Sequence, residues 1–142
     1  MQTMNTDVLV VLDPSSDDGE SALRFALAGG RTRVTLLVSM SGPSSWALHA
    51  FADSEEIGVA EAADIYLAQV ADRMKARGVE TASVAVTGID VAADLAAYAV
   101  DIGASLIAVP SGGRVLAPAD LERAARMAGV PIAVVPPQVA AA

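Results

Sequence analysis

Apolar residues arrive along this chain in short dense runs, each closed by a glycine, a proline or a polar cluster. The run from Asp7 to Asp13 reads DVLVVLD. Such a near-continuous Val/Leu stretch is expected of a strand covered on both faces. Pro14, Ser15 and Ser16 break it. From about Asp17 to Ala28 the pattern turns helical, with Ala22, Leu23, Phe25, Ala26 and Leu27 supplying an apolar side, and Gly29 and Gly30 end the helix. Arg33 to Met40, RVTLLVSM, reads as a second strand.

Ser41 to Val59 is the least regular part, holding Pro43, Trp46, His49 and Phe51. Its middle, Trp46 to Phe51, is compatible with a short helical turn. Ala60 to Arg77 is a clear helix, with Ile65, Leu67, Val70 and Met74 among its apolar positions, and Gly78 stops it. Thr81 to Thr87 makes a third strand. Asp90 to Ile102 is again helical and Gly103 closes it. Ser105 to Val109 and Pro131 to Val135 are the last strands, separated by a helix over Pro118 to Met127.

The predicted order is therefore βαβαβαβαβ. Strands joined by helices run parallel, with helices on both faces of one open sheet, so the fold class is α/β. In such sheets ligands sit at the carboxyl ends of strands, where the winding direction reverses. Asp13 ends the first strand and Pro110 to Arg114 follow the fourth. They face one another if those two strands are neighbours. With 142 residues the chain fits one domain, placed at residues 7–137 between a flexible N-terminus (1–6) and a tail (138–142).

Composition then removes several classes of function. The formal charge is -8 and no Lys/Arg stripe exists, which argues against nucleic acid as a partner. Arg73, Lys75 and Arg77 form the densest basic group, at a helix end where cations suit the dipole. No apolar run reaches the roughly 20 residues of a membrane span. Residues 1–6 lack the basic start and apolar core of a signal peptide, so a cytoplasmic location is expected. Cysteine is absent, and disulfides and thiolate chemistry go with it.

Isolated polar residues add little. His49 is the sole histidine and is expected in an exposed loop. Ser15, Ser16 and Ser111 lack the G-x-S-x-G turn of a nucleophile. Asp53, Glu55 and Glu56 have the wrong spacing for a calcium loop and read as solvated charge. Trp46 and Phe51 are expected to pack on the core. No metal site and no catalytic residue follow.

Taken in order, VLVVLDPS (Val8 to Ser15), VTLLVS (Val34 to Ser39), GIDVAADL (Gly88 to Leu95), GASLIAVPSGGR (Gly103 to Arg114) and PIAVVP (Pro131 to Pro136) resemble the universal stress protein family. The resemblance spans Asp7 to Pro136. It implies a five-stranded parallel sheet in the order 3-2-1-4-5, of the adenine nucleotide alpha hydrolase-like type. It also implies that Asp13 matches the family's strand-one aspartate near the nucleotide, and Ser39 its backbone site at the end of the second strand. The ATP-binding members carry a phosphate loop of glycine, two residues, glycine, nine residues, then glycine and serine or threonine. Here Gly113 matches the second glycine, Pro110 occupies the first position, and Pro118 and Ala119 stand where the glycine–serine pair belongs.

The physics agrees with the broken motif. A phosphate cradle needs several free N–H groups, and Pro118 has none while Ala119 brings no hydroxyl. Asp120 and Glu122 put carboxylates in the first helical turn, with Arg114 the only nearby cation. A carboxylate about 6 Å from a phosphate charge costs roughly 2–3 kcal/mol at an effective dielectric near 20. The leading expectation is a binding or regulatory protein with a degenerate nucleotide site, no bound cofactor and no turnover chemistry. The alternative is ATP with magnesium, slowly hydrolysed, held by Asp13, Ser111, Gly112, Gly113 and Arg114. A structural interaction module is the third reading. The resemblance further implies a homodimer through the last strand, with Pro131, Ile132, Val134 and Val135 at the contact, unless the tail Val139 to Ala142 covers that edge.

Overall fold

Successive residues of the first strand, β1 (Val8–Val11), enter two separate cores, and that division organises the fold. Val8, Val10 and Leu12 point to one face of the sheet, Leu9 and Val11 to the other. This is the side-chain period of a strand buried on both sides. The computed structural model describes residues 8–15, 20–88, 90–110 and 117–135.

After β1 come α1 (Glu20–Ala28), β2 (Arg33–Ser39), a 3₁₀ turn (Pro43–Ser45), α2 (Trp46–Glu55) and α3 (Val59–Ala76). Then follow β3 (Glu80–Val86), α4 (Val91–Asp101), β4 (Leu106–Pro110), α5 (Pro118–Ala128) and β5 (Ile132–Val135). All four strand pairings are parallel, in the order β3-β2-β1-β4-β5. Leu23, Leu48, Leu67, Val70 and Met74 from α1, α2 and α3 pack with Val34, Leu36 and Val38 on one face. Leu95, Ala99 and Ala124 from α4 and α5 pack with Leu37, Ile107 and Val109 on the other. β1 lies between β2 and β4, so the winding reverses beside it, as the sequence order requires of a candidate crevice. No helix among the described residues is long and apolar enough to cross a membrane.

The stretch after β2 departs from expectation. The short turn foreseen at Trp46 to Phe51 is a ten-residue helix, because Leu48 and Ala52, four apart, are both buried on its inner side. Trp46 and Phe51 do not pack on the core as expected: Trp46 faces away from that inner side, and Phe51 lies at its edge. Trp46 stands about 200° round the helix from Leu48, and the two aromatics are 55% and 40% exposed. His49 is exposed but belongs to α2 and not to a loop, and its Nε2 lies 3.0 Å from the Met40 carbonyl oxygen. Asp53, Glu55 and Glu56 are exposed, as read from the sequence.

Candidate functional site

The end of β1 carries Asp13. The Leu12 amide still bonds the Leu37 carbonyl at 2.9 Å, so the β1–β2 ladder continues one residue past the strand. Extending the pairing of Val11 with Leu37 by two residues sets Asp13 level with Ser39. Asp13 is only 1% exposed. Its Oδ1 accepts the Ser15 amide at 3.0 Å and the Ser15 hydroxyl at 2.5 Å. This is an Asx turn, the natural use of an aspartate before Pro14 and Ser15. The carboxylate, at the end of β1, therefore serves its own turn.

Ser39, at the end of β2, is 2% exposed. Its hydroxyl donates to the Ser41 carbonyl at 2.8 Å and accepts the Ser41 amide at 3.2 Å. The Ser41 hydroxyl in turn donates to the Gly88 carbonyl at 2.9 Å, and the Met40 amide to Val86 at 2.7 Å. With His49 bonded to Met40 from above, the loop leaving β2 is tied to both β3 and α2. Asp13 and Ser39 thus stand level on adjacent strands at the carboxyl end of the sheet.

On the other side of β1 come the exit of β4 and the α5 that follows it. Ser111, Gly112, Gly113 and Arg114 lie outside the described residues. The start of α5 is described, and it is poorly built for an anion. Pro118 has no N–H, while the amides of Asp120 and Leu121 both donate to the Ala117 carbonyl, at 2.9 and 3.0 Å. The Leu121 bond is the ordinary first bond of the helix, so the proline and the Asp120 bond together leave the Ala117 and Ala119 amides at this end, where a phosphate cradle needs several. Ala117 makes no side-chain cap.

Sequence reasoning named Arg114 as the only nearby cation, and this needs correction. Arg123, in the second turn of α5, donates to Asp120 Oδ1 at 3.2 Å and to both oxygens of Asp90, at 2.8 and 2.9 Å. Asp90 caps α4, accepting the Ala93 amide at 3.3 Å. The hydrogen bond from Arg123 and then the Ala93 amide lower the Asp90 carboxyl from 3.8 to about 2, and the bonds to Asp90 and then Asp120 hold Arg123 more firmly in its charged form. The Asp120–Arg123 spacing of three is visible in the sequence as a helical pair. Asp90 is 33 residues away, and only the packing of α4 on α5 brings it in. Glu122 pairs at 3.7 Å with Arg126, both largely exposed, so it remains a solvated charge.

The sequence description of the Universal stress protein family matches residues 4–136. This chain belongs to the universal stress protein family. Its structure is similar to that of a universal stress protein family member from Burkholderia pseudomallei, at 27% identity and TM-score 0.57, covering 92% of this chain and 96% of that one. It is also similar to the hypothetical protein MJ0577, at 20% identity and TM-score 0.69, covering 97% and 100%. A universal stress protein solved in complex with cAMP shares the fold at 22% identity and TM-score 0.55, covering 94% and 98%. No curated protein matches significantly.

Proposed function

We propose that this universal stress protein is a homodimeric binding or regulatory protein whose nucleotide site has lost its phosphate end and performs no turnover. One observation carries the reading. At the start of α5 the proline removes a donor, the Asp120 amide turns back to Ala117, and Asp120 with Arg123 fills the helix end with a protein carboxylate and its own cation. A triphosphate arriving there would meet few donors and one carboxylate, with Arg123 already committed to Asp90. At the ends of β1 and β2, Asp13 and Ser39 are the residues that the family resemblance matches to the strand-one aspartate near the nucleotide and to the backbone site of the second strand.

ATP held with magnesium and slowly hydrolysed is the second reading, with Ser111, Gly112, Gly113 and Arg114 closing on the phosphates. The relative described in complex with cAMP favours it, because a nucleotide is accommodated on the same fold there. A thermal shift or calorimetric titration with ATP and magnesium separates the two. Micromolar affinity would overturn the first reading, and no response at millimolar ATP would remove the second.

The dimer is argued from the sheet edges. β3 presents Glu80, Ala82 and Ser83 to solvent, whereas β5 is IAVV with Val134 53% exposed. Apolar edges invite pairing and polar ones discourage it. A second copy seated along β5 covers that edge. A monomeric mass by light scattering at micromolar protein would count against it.

A further inference from the structure

We infer that the cavity between α2 and α3, which adjoins the end of β1 at Pro14, is a binding site for a small neutral aromatic molecule other than the nucleotide. The cavity measures about 180 Å³. Leu48, Phe51, Ala62, Ile65, Tyr66 and Gln69 line it together with Pro14 and Ala47, and no Asp, Glu, Lys or Arg does so among the described residues. Its origin is local. α2 and α3 pack against each other through small residues, Ala62 among them, where a larger side chain would close the space. An enclosed apolar cavity of roughly 150 Å³ takes up benzene, and this one has comparable room but is partly open to solvent and carries polar side chains at its mouth. That room fits a single or compact fused ring of about six to ten non-hydrogen atoms.

Two further features choose among ring compounds. Phe51 and Gln69 are both exposed and Tyr66 also lines the cavity, so its mouth offers two aromatic rings, with the Gln69 amide and a phenol as its polar side chains among the described residues. The Gln69 amide can both donate to and accept from a single polar substituent on the ring. The chain carries a net charge of -8, and no cation lines the cavity among the described residues, so an aromatic carboxylate is disfavoured against its neutral counterpart. The ligand class is therefore a neutral aromatic with one hydrogen-bonding group, of the phenol or indole type.

The test uses the whole chain with 4-fluorophenol as probe and 4-fluorobenzoate as the anionic control. Binding is followed by fluorine NMR, and its location by the methyl signals of Leu48 and Ile65 against the Ser39 amide. The expected result is saturable binding of the phenol, at least tenfold tighter than the benzoate, with shifts at Leu48 and Ile65 and none at Ser39. Ala62→Leu, which fills the cavity, should abolish it while circular dichroism stays unchanged. Should that variant misfold, Ala47→Leu fills the same space from α2. Absent saturation, shifts centred on Ser39, or binding that survives in a folded filled variant would each overturn the assignment.

Discussion

Arg123 and Asp90 stand 33 residues apart in the sequence, yet the guanidinium meets both carboxylate oxygens of Asp90, at 2.8 and 2.9 Å. A bidentate pair of this kind fixes orientation as well as charge. It fastens the first turn of α4 to the second turn of α5, beside the place where the family's phosphate loop would end.

The pair is exposed, so its effect on stability is modest and reveals itself in pH dependence. Asp90 titrates at about 2 in the folded chain, below its ordinary 3.8. For a depressed carboxyl, the contribution is fully present above the unfolded value and is lost as pH falls through the folded one. Urea midpoints of the native chain and Asp90→Asn should therefore keep a constant gap above about pH 5 and converge toward about pH 2. Arg123→Gln should return the Asp90 carboxyl toward its ordinary value in a carbon NMR titration. An unchanged titration would show that the bond does not persist in solution.

Gly88 and Asp94 should prove coupled. A Cβ added at Gly88 would run into the Asp94 carboxylate, whose Oδ2 is buried without a hydrogen-bond partner. Gly88→Ala is expected to cost about 1–3 kcal/mol, the usual range for overpacking. Asp94→Ala should recover most of that loss in the double variant, a non-additivity that chemical denaturation of all four proteins measures. Simple additivity would place the collision elsewhere.

Glu56 ends α2 in the left-handed region, at φ 56 and ψ 45. A side chain there costs roughly 1–2 kcal/mol, part of which glycine returns as unfolded-state entropy. Glu56→Gly should raise stability by about 0.5–1 kcal/mol and Glu56→Ala should not, because alanine keeps the Cβ. Thermal unfolding of the two variants decides it.

How much of this was legible depended on the range of the interaction. Val8 to Leu12 and Arg33 to Ser39 announced themselves as buried strands because burial on both faces leaves no polar alternation to misread. The order of the sheet followed from helices that force parallel pairing, together with the family resemblance. α2 was foreseen as one turn because its sequence is only weakly patterned, and its remaining length rests on packing of Leu48 and Ala52 against α3. The turn made by Asp13 was readable, since D-P-S favours an Asx turn. The Arg123–Asp90 bond could not be read, because nothing local to either residue names the other. The phosphate-loop residues Ser111 to Arg114 lie outside the described residues, and their role rests on the resemblance.

The β5 edge makes a simple prediction about assembly. Val134→Lys places a charge where two apolar edges would meet, and charged edges resist pairing. The native chain should show twice its monomer mass in light scattering, and the variant the monomer mass with unchanged circular dichroism. Equal masses for both would move the dimer contact away from β5 or dispense with it.

Calorimetric titration of ATP with magnesium into the intact chain, alongside adenosine, tests the degenerate phosphate end most directly. If the start of α5 no longer receives phosphate, ATP will show no measurable affinity up to millimolar concentration, or bind no more tightly than adenosine. Micromolar binding of ATP, clearly tighter than adenosine, would contradict it and would mean that the crevice still holds the phosphates.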